Sequence, residues 1–330
     1  MIWGIVMKIK EQLKRIEWLR IGIREIKSRY HSTKRKLSFV IGGGYQGNQV
    51  LSYRIGKKTI CNLINSTQPF FLAKFGLTEA NCIEMFILHE KNGTAKEKEC
   101  LMQSAWDTTG FFPRNDEKAF FDALNIYYKA CKRIDFLAMW MREKKEISLF
   151  QNCCREGTMI SAKVFSGTFF DKKPWTHKLE GKKVLIIHPF AETIKKQYKN
   201  RQNIFKNKML PDFQLITYRC VQSIGAVSEE FSDFREAYEH MCNEISKISF
   251  DIALIGAGAY GIPLGAFIKA EMQKQAIHIG GALQLFFGIK GGRWDAYSMY
   301  RKRLYNEFWV RPSEEETPKN HHRVDGSCYW

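Results

Sequence analysis

The sequence predicts an α/β fold with a Rossmann-like, mostly parallel sheet flanked by helices. Two strand–turn–helix units carry this prediction, and they begin at Gly181 and Asp251. In the second unit, the apolar run Ile252–Ile255 has the length of a strand that is buried on both faces. A glycine-rich turn, a helical pattern and a short strand at residues 276–279 follow it. Units of this kind cross over right-handed into a parallel sheet.

The remaining elements are predicted from hydrophobic periodicity and from turn residues. Further strands are expected at residues 68–75, 183–187 and 213–221. Helices are expected at residues 59–66, 79–89, 116–147, 191–205 and 228–249, with a polar connection at 90–99. The tail, residues 308–330, has few regular signals but ends in Cys-Tyr-Trp, so we expect it to fold back onto the body.

Residues 1–35 are predicted to hold a basic amphipathic helix. It precedes a single main domain at residues 36–330, whose sub-parts are residues 36–175 and 176–330. Apolar residues of the helix recur at three- and four-residue steps, and Lys and Arg occupy much of the remaining surface. Such a helix, with tryptophans among its residues, suits an anionic membrane surface. It equally suits packing on the domain or pairing with a second copy.

The charge balance of the chain is strongly basic. Its 330 residues include 52 Lys and Arg against 34 Asp and Glu, which gives a formal net charge of +18. A surplus of this size favours anionic partners such as nucleoside diphosphates, acidic lipid surfaces or nucleic acid. Nucleic acid is disfavoured, because the sequence has no helix-turn-helix, zinc or RNA-recognition signature.

Cysteine usage and hydropathy predict a cytoplasmic protein, peripheral on the inner membrane face if the basic helix binds lipid. The nine Cys residues include no C-x-x-C pair, so reduced thiols are expected rather than disulfides or a zinc site. No apolar run approaches the roughly 20 residues of a membrane-spanning helix. The apolar start, residues 1–7, lacks the features of a secretory signal.

The turn after Ile255 matches the pattern G-x-G-x-x-G at Gly256, Gly258 and Gly261. Between a strand and a helix this pattern favours anion binding, because the backbone can approach a phosphate and N–H groups at the helix start point towards it. A dinucleotide would require a carboxylate at the end of the next strand, where His278 stands, so NAD is disfavoured. Two alternatives remain: a nucleotide or sugar-phosphate site, and a tight turn that only allows close helix–sheet packing.

Three further side chains are candidates for the chemistry. Glu79 lies just past a predicted strand end, where ligands bind in open α/β sheets, but it also suits a helix start with Thr78 as the N-cap. His188 follows another predicted strand and either contacts a phosphate, acts as an acid or base, or only hydrogen-bonds the next turn. Arg293 is suited to bidentate contact with a phosphate.

Several segments together resemble bacterial glycosyltransferases of the GT-D type, and the likeness extends over residues 55–295. The segments that carry it are Lys74-Phe75-Gly76-Leu77-Thr78-Glu79, Gly110-Phe111-Phe112-Pro113, residues 184–190 with Glu192, and residues 251–294. The resemblance implies a GT-D-like catalytic domain that transfers a sugar from a nucleotide donor, usually a UDP-sugar, with a divalent metal such as Mn²⁺ or Mg²⁺. The implied acceptor is a cell-surface polysaccharide, as in a capsule, or a lipid-linked glycan.

The family's acidic motif, Asp-x-Glu after Phe-Gly, falls on residues 77–79. Glu79 matches and is the implied catalytic carboxylate and metal ligand, whereas Leu77 stands in place of the Asp. This departure leaves open a metal-free enzyme, a displaced ligand or an inactive relative. Beyond the glycine turn and Arg293, the resemblance places substrate contacts at Gly76, Thr78, Tyr260, Gly281 and Gln284.

Three functions are therefore compared. The first is a glycosyltransferase that uses Glu79, with His188 as a second catalytic candidate. The second is a non-catalytic nucleotide-binding or scaffold protein of an envelope-polysaccharide cluster. Leu77, which stands in place of the family's Asp, suggests this function. The third is a nucleotide-dependent oxidoreductase, which nicotinamide binding would favour.

Overall fold

A computed structural model defines the architecture of most of the chain. It divides after Ser52 into two units. Of the first unit the structure describes residues 49–52, with the short strand Val50–Leu51, so the helix predicted within residues 1–35 lies outside the described residues. The structure describes residues 49–88, 95–141, 144–154, 156–223, 225, 228, 230–319, 321–324 and 327–330.

The second unit, Tyr53–Trp330, is built on a parallel sheet. Its strands lie in the order β3-β2-β1-β7-β6-β4-β5, and each pair of neighbours runs parallel. The predicted α/β class with a Rossmann-like sheet is confirmed. The strands are β1 (Phe71–Ala73), β2 (Phe136–Met139), β3 (Thr158–Ser161), β4 (Lys183–Ile187), β5 (Gln214–Tyr218), β6 (Ile252–Ile255) and β7 (Gln275–His278).

Helices and short 3₁₀ turns connect the strands of this unit. The helices are α1 (Tyr53–Ser66), α2 (Leu77–Leu88), α3 (Ala95–Thr108), α4 (Glu117–Cys131), α5 (Lys144–Cys153), α6 (Lys163–Ser166), α7 (Ala191–Lys199), α8 (Arg201–Ile204), α9 (Phe234–Ser246), α10 (Gly261–Ala270), α11 (Leu283–Phe286), α12 (Gly292–Asp295) and α13 (Ser298–Arg303). The 3₁₀ turns are Thr168–Phe170, Trp175–Leu179, Gly258–Tyr260, Gly280–Ala282, Glu314–Glu316 and His321–Arg323. None of the helices in the described part of the chain has the length and hydropathy that a membrane crossing requires.

The strand order creates a crevice beyond the carboxyl ends of the central strands. Strand β1 pairs with β2 on one side and with β7 on the other. The chain fills the β2–β3 side first and the β4–β7 side afterwards, so the order of strands changes direction next to β1. Ligands of open α/β sheets bind at such a point, beyond the carboxyl ends of the strands. The segments that follow β1, β4, β6 and β7 therefore meet at one place.

The main error of the sequence prediction is the single helix expected at residues 116–147. Helix α4 ends at Cys131, strand β2 follows, and α5 begins only at Lys144. The apolar residues Leu137 and Met139 are buried in the core, but as part of a strand rather than a helix. A buried four-residue apolar run has the same composition in a strand as in a helix, and no Gly or Pro marks the break before it.

Other boundaries differ less. The connection expected at residues 90–99 gives way to α3 from Ala95 onwards. Residues 163–166 and 168–170 form α6 and a 3₁₀ turn, and β3 precedes them. Strands β4 and β6 have the predicted bounds.

The described parts of the tail fold back onto the body, as the sequence predicts. The backbone carbonyl groups of Cys328 and Trp330 accept hydrogen bonds from the N–H groups of Arg293 and Gly292. The carboxylate of Glu316 is buried at the start of α7 and accepts hydrogen bonds from the backbone N–H groups of residues 192 and 193. The tail thus becomes a wall of the crevice.

Candidate functional site

A cavity of about 570 Å³ lies at the carboxyl ends of the strands. It brings together side chains from both halves of the sheet, including Glu79 from the β1 side and the turn at 256–260 from the β6 side. Gly261 does not line the cavity. The predicted site residues that line the cavity are Gly76, Thr78, Glu79, His188, Gly256, Gly258, Tyr260, Gly281, Gln284 and Arg293.

Glu79 lies in the first turn of α2, with its carboxylate folded back over Gly76. A Cβ atom at position 76 would collide with the carboxylate, so the absence of a side chain there makes room for it. Burial raises the pKa of Glu79, and the positive charges of Lys74 and Arg293 oppose this shift. A carboxylate with a raised pKa is suited to accept a proton from a substrate hydroxyl.

The start of α2 corrects one detail of the sequence prediction. The helix begins at Leu77, and the carbonyl group of Gly76 accepts a hydrogen bond of 2.9 Å from the N–H of Ala80. Thr78 therefore lies within the first turn of the helix and is not its N-cap. Its hydroxyl lies 3.4 Å from that of Thr108.

Lys74 is a cavity residue that the sequence analysis did not single out. It directly follows β1, and its ammonium lies 5.2 Å from the centre of the Trp140 ring. Burial lowers the pKa of Lys74 to about 8, and the negative charge of Glu79 opposes the shift. Its position one residue beyond a strand end is the signal that could have identified it.

His278 is buried at the end of β7, with 4% of its surface exposed. Neither ring nitrogen has a hydrogen-bond partner among the described residues. Burial lowers the pKa of His278 to about 3, and the positive charge of Lys74 lowers it further. The nearby backbone of Lys74 opposes this shift, although it forms no regular hydrogen bond with the ring. A neutral imidazole that lines a cavity with both polar atoms unbonded is suited to hydrogen-bond a ligand.

His188, in contrast, is bonded within the protein. Its Nδ1 accepts a hydrogen bond of 3.0 Å from the N–H of Phe190, and burial lowers its pKa to about 3. A neutral ring that accepts at Nδ1 carries its proton on Nε2. His188 can therefore donate a hydrogen bond to a ligand but has no open lone pair with which to take a proton.

The glycine-rich turn does not present the row of free N–H groups that the sequence predicts. The N–H groups of Gly256 and Ala259 donate to the carbonyl groups of Ile187 and Thr109, and those of Tyr260 and Gly261 donate within the turn. Because the glycines carry no side chains, they instead allow close packing, which is the second of the two alternatives for this motif. A Cβ atom at position 256 would lie 2.7 Å from the His188 ring, and one at position 258 would lie 2.9 Å from the Thr109 carbonyl oxygen.

Three other predicted contacts have internal roles besides lining the cavity. The Tyr260 hydroxyl lies 3.0 Å from that of Ser223, and its ring stacks on Phe234. The Gln284 amide donates to the carbonyl groups of Lys290 and Tyr329. Gly281 leaves room for the Tyr329 ring, with which a Cβ atom would collide.

Arg293 is held by the tail. Its guanidinium lies 4.8 Å from the centre of the Tyr329 ring and donates to the Tyr329 hydroxyl and to Cys328 Sγ, at 3.3 and 3.2 Å. Its positive charge lowers the pKa of both Glu79 and Lys74. The cavity thus contains a carboxylate under the influence of two cations.

The divalent metal that the resemblance implies does not fit this donor set. The described residues contain no group of three His, Cys, Asp or Glu side chains that could hold a metal ion. Leu77 offers a hydrocarbon side chain where a carboxylate is expected, and the charges nearest Glu79 are positive. A hard divalent cation requires several oxygen ligands, of which this site supplies one carboxylate.

Comparison with known proteins identifies part of the fold. Residues 158–286 match the family model of a GT-D fold-like domain. A solved structure of a domain of unknown function 1792 is 14% identical, over 68% of this chain and 77% of that chain, with a TM-score of 0.37 that is too low to support a conclusion. No curated protein matches the chain. The resemblance to GT-D proteins is confirmed for residues 158–286.

Proposed function

We propose that this protein, whose residues 158–286 are a GT-D-like domain, is a glycosyltransferase that uses a nucleotide-sugar donor, with a UDP-sugar as the expected class. One observation carries the proposal: a single crevice contains a carboxylate with a raised pKa, Glu79, and the cations Lys74 and Arg293. The acceptor class that we propose is a cell-surface polysaccharide or a lipid-linked glycan.

The chemistry of sugar transfer explains why these charges belong together. The acceptor hydroxyl oxygen attacks the anomeric carbon of the donor sugar, and the bond from that carbon to the diphosphate oxygen breaks. Negative charge develops on the departing nucleoside diphosphate, and preorganised cations stabilise it. The hydroxyl proton passes to Glu79, because the lone pair of His188 Nδ1 already accepts a hydrogen bond.

Exposed aromatic side chains at the cavity are suited to the sugar and the base. Tyr297 is 58% exposed and Trp140 is 42% exposed, and both line the cavity. Aromatic rings offer large apolar faces to flat or weakly polar ligand surfaces. The predicted basic helix within residues 1–35 would add contact with an anionic membrane on the cytoplasmic face.

The alternative is a protein that binds the nucleotide without transfer. The observation that favours it is Leu77, which is 48% exposed at the cavity in the position of the family's Asp. This alternative predicts binding of the donor but no sugar transfer. An oxidoreductase would instead bind a nicotinamide cofactor.

The test is a donor screen with the purified full-length chain. Calorimetry with UDP, UDP-sugars and NADH measures binding, and mass spectrometry measures release of UDP from each UDP-sugar in the presence of glycan acceptors. We expect binding of UDP and of at least one UDP-sugar, with release of UDP on turnover. Binding of NADH alone would support the oxidoreductase, and the absence of any nucleotide binding would contradict the proposed function.

A further inference from the structure

We propose that the cavity binds the donor diphosphate without a divalent metal, through the ammonium of Lys74 supported by the charge of Arg293 and a hydrogen bond from His278. The inference rests on the proposed function, because a nucleotide-sugar donor supplies the diphosphate. It assigns to side chains of the protein the charge neutralisation that a metal provides in related enzymes.

The donor set of the cavity does not suit a divalent metal. A metal at Glu79 would lack the carboxylate that Leu77 replaces, and it would lie within the field of Lys74 and Arg293. Two cations that lower the pKa of a carboxylate also repel a divalent cation bound to it. The same two cations attract a diphosphate.

Packing holds Lys74 in a fixed position. Its ammonium lies over Trp140, whose ring N–H donates to the Phe75 carbonyl at 2.7 Å and whose backbone N–H donates to Glu146 at 3.1 Å. On another side, Lys74 Nζ lies 3.7 Å from the point that a Cβ atom of Gly280 would occupy. Gly280 has a φ of +70°, so glycine is favoured there and this flank of the ammonium stays open.

His278 lies beside the ammonium of Lys74. Its Nε2 lies 3.9 Å from the same Gly280 Cβ point, so both groups border one small space. Neither ring nitrogen of His278 has a partner in the described part of the chain, although the side chain is almost fully buried. A neutral imidazole has one N–H to donate, and a phosphate oxygen next to Lys74 would accept it.

Arg293 is the third group of the proposed diphosphate site, and it comes from a distant part of the chain. Its side chain stacks on Tyr329 and is held there by two hydrogen bonds, so little rotamer freedom is lost when a ligand arrives. The three groups come from the segment after β1, from β7 and from α12. Each is fixed by packing before the ligand arrives, which favours tight binding of an anion.

The test is calorimetry with UDP and uridine on the full-length protein, in EDTA and in Mn²⁺. We expect UDP to bind in EDTA within about threefold of its affinity in Mn²⁺, and uridine, which lacks the diphosphate, to bind at least tenfold more weakly. Lys74→Met should weaken UDP binding at least tenfold in both buffers. Lys118→Met, on the exposed face of α4, is the control and should leave the affinity unchanged.

The outcomes separate this inference from the proposed function. UDP binding that is lost in EDTA and restored by Mn²⁺ would overturn the inference and leave the glycosyltransferase intact. Failure of UDP to bind in either buffer would overturn both. If Lys74→Met does not fold, as judged by circular dichroism, the wild-type comparison in EDTA decides alone, and Lys74→Arg, which keeps the charge, should retain UDP binding.

Discussion

Two segments contribute residues to the cavity, and they differ in how clearly their sequences indicate a binding site. The turn at residues 256–261 carries a recognisable glycine motif, yet most of its N–H groups bond within the protein and its glycines make room for neighbours. The segment Lys74-Phe75-Gly76-Leu77-Thr78-Glu79 matches no general phosphate motif, yet it contributes both a cation and a carboxylate to the cavity. The glycine pattern here therefore indicates close backbone packing rather than a binding site. The charged groups determine which ligands the crevice can bind.

The largest expected effect tests the charged segment. Glu79→Gln removes the proton acceptor while it keeps the shape of the side chain, so sugar transfer should fall about 10²- to 10⁴-fold, with donor affinity changed far less. Steady-state release of UDP measures this. Glu84→Gln, on the same helix but outside the cavity, is the control and should retain full activity. Unchanged turnover in Glu79→Gln would remove this residue from the mechanism.

A pair of glycine substitutions compares the two segments directly. Gly261→Ala places a methyl group against the buried His278 ring and should destabilise the fold by about 1–3 kcal/mol. Gly76→Ala meets only the flexible carboxylate of Glu79, so thermal unfolding should change little while transfer falls on the order of 10²-fold. Differential scanning calorimetry and the transfer assay separate the two. Unchanged thermal unfolding in Gly261→Ala, or unchanged transfer in Gly76→Ala, would contradict this comparison.

Glu316 tests whether the tail is a fixed wall of the site. Its carboxylate accepts hydrogen bonds from the N–H groups of residues 192 and 193 and from the hydroxyl groups of Thr193 and Ser313, so every neighbour is a donor. Glu316→Gln would place an amide NH₂ among these donors and should lower the free energy of unfolding by about 1–3 kcal/mol. The exposed neighbour Glu314→Gln should have no effect. Equal stability of the two variants would mean that the tail is not anchored here.

The smallest expected effect is a pH dependence of donor binding. The ammonium of Lys74 has a pKa of about 8 in the free protein, and a bound diphosphate would raise that pKa. Affinity should therefore be close to its maximum at pH 7 and fall as the pH rises through 8, by about tenfold between pH 7 and 9. The charged and titratable groups that face Lys74 are Glu79, Arg293, Glu146 and His278. Lys74→Arg should bind UDP with a flat profile over this range, and a flat wild-type profile would contradict the role of Lys74.

Much of the fold could be predicted from the sequence where the pattern was unambiguous. Strands β4 and β6 are apolar runs that end in turns, and their bounds agree with the structure. Strand β2 was missed because Leu137 lies at helical spacing from Cys131 and Ile134, so the segment also fits a continuation of α4. The pairing of β2 with both β1 and β3 makes it a strand, and a single sequence does not show that pairing.

The sequence predicted which residues belong to the site better than it predicted what each of them does there. Position after a strand end was enough to select Glu79 and His188, and both line the cavity. The hydrogen bond that occupies His188 Nδ1 depends on the exact course of the next two residues, and the partners of the 256–261 amides come from distant strands. Such contacts arise only from the assembled fold. The same holds for Lys74, whose significance depends on Gly280 and His278, some 200 residues further along the chain.

A crystal structure of the full-length protein with UDP bound, grown in EDTA, tests the central claim most directly. The account predicts the diphosphate within hydrogen-bond distance of Lys74 Nζ, near His278 and the Arg293 guanidinium, with Glu79 facing the space where a sugar would lie. A diphosphate bound instead to the backbone of residues 256–261, or outside the cavity altogether, would contradict it.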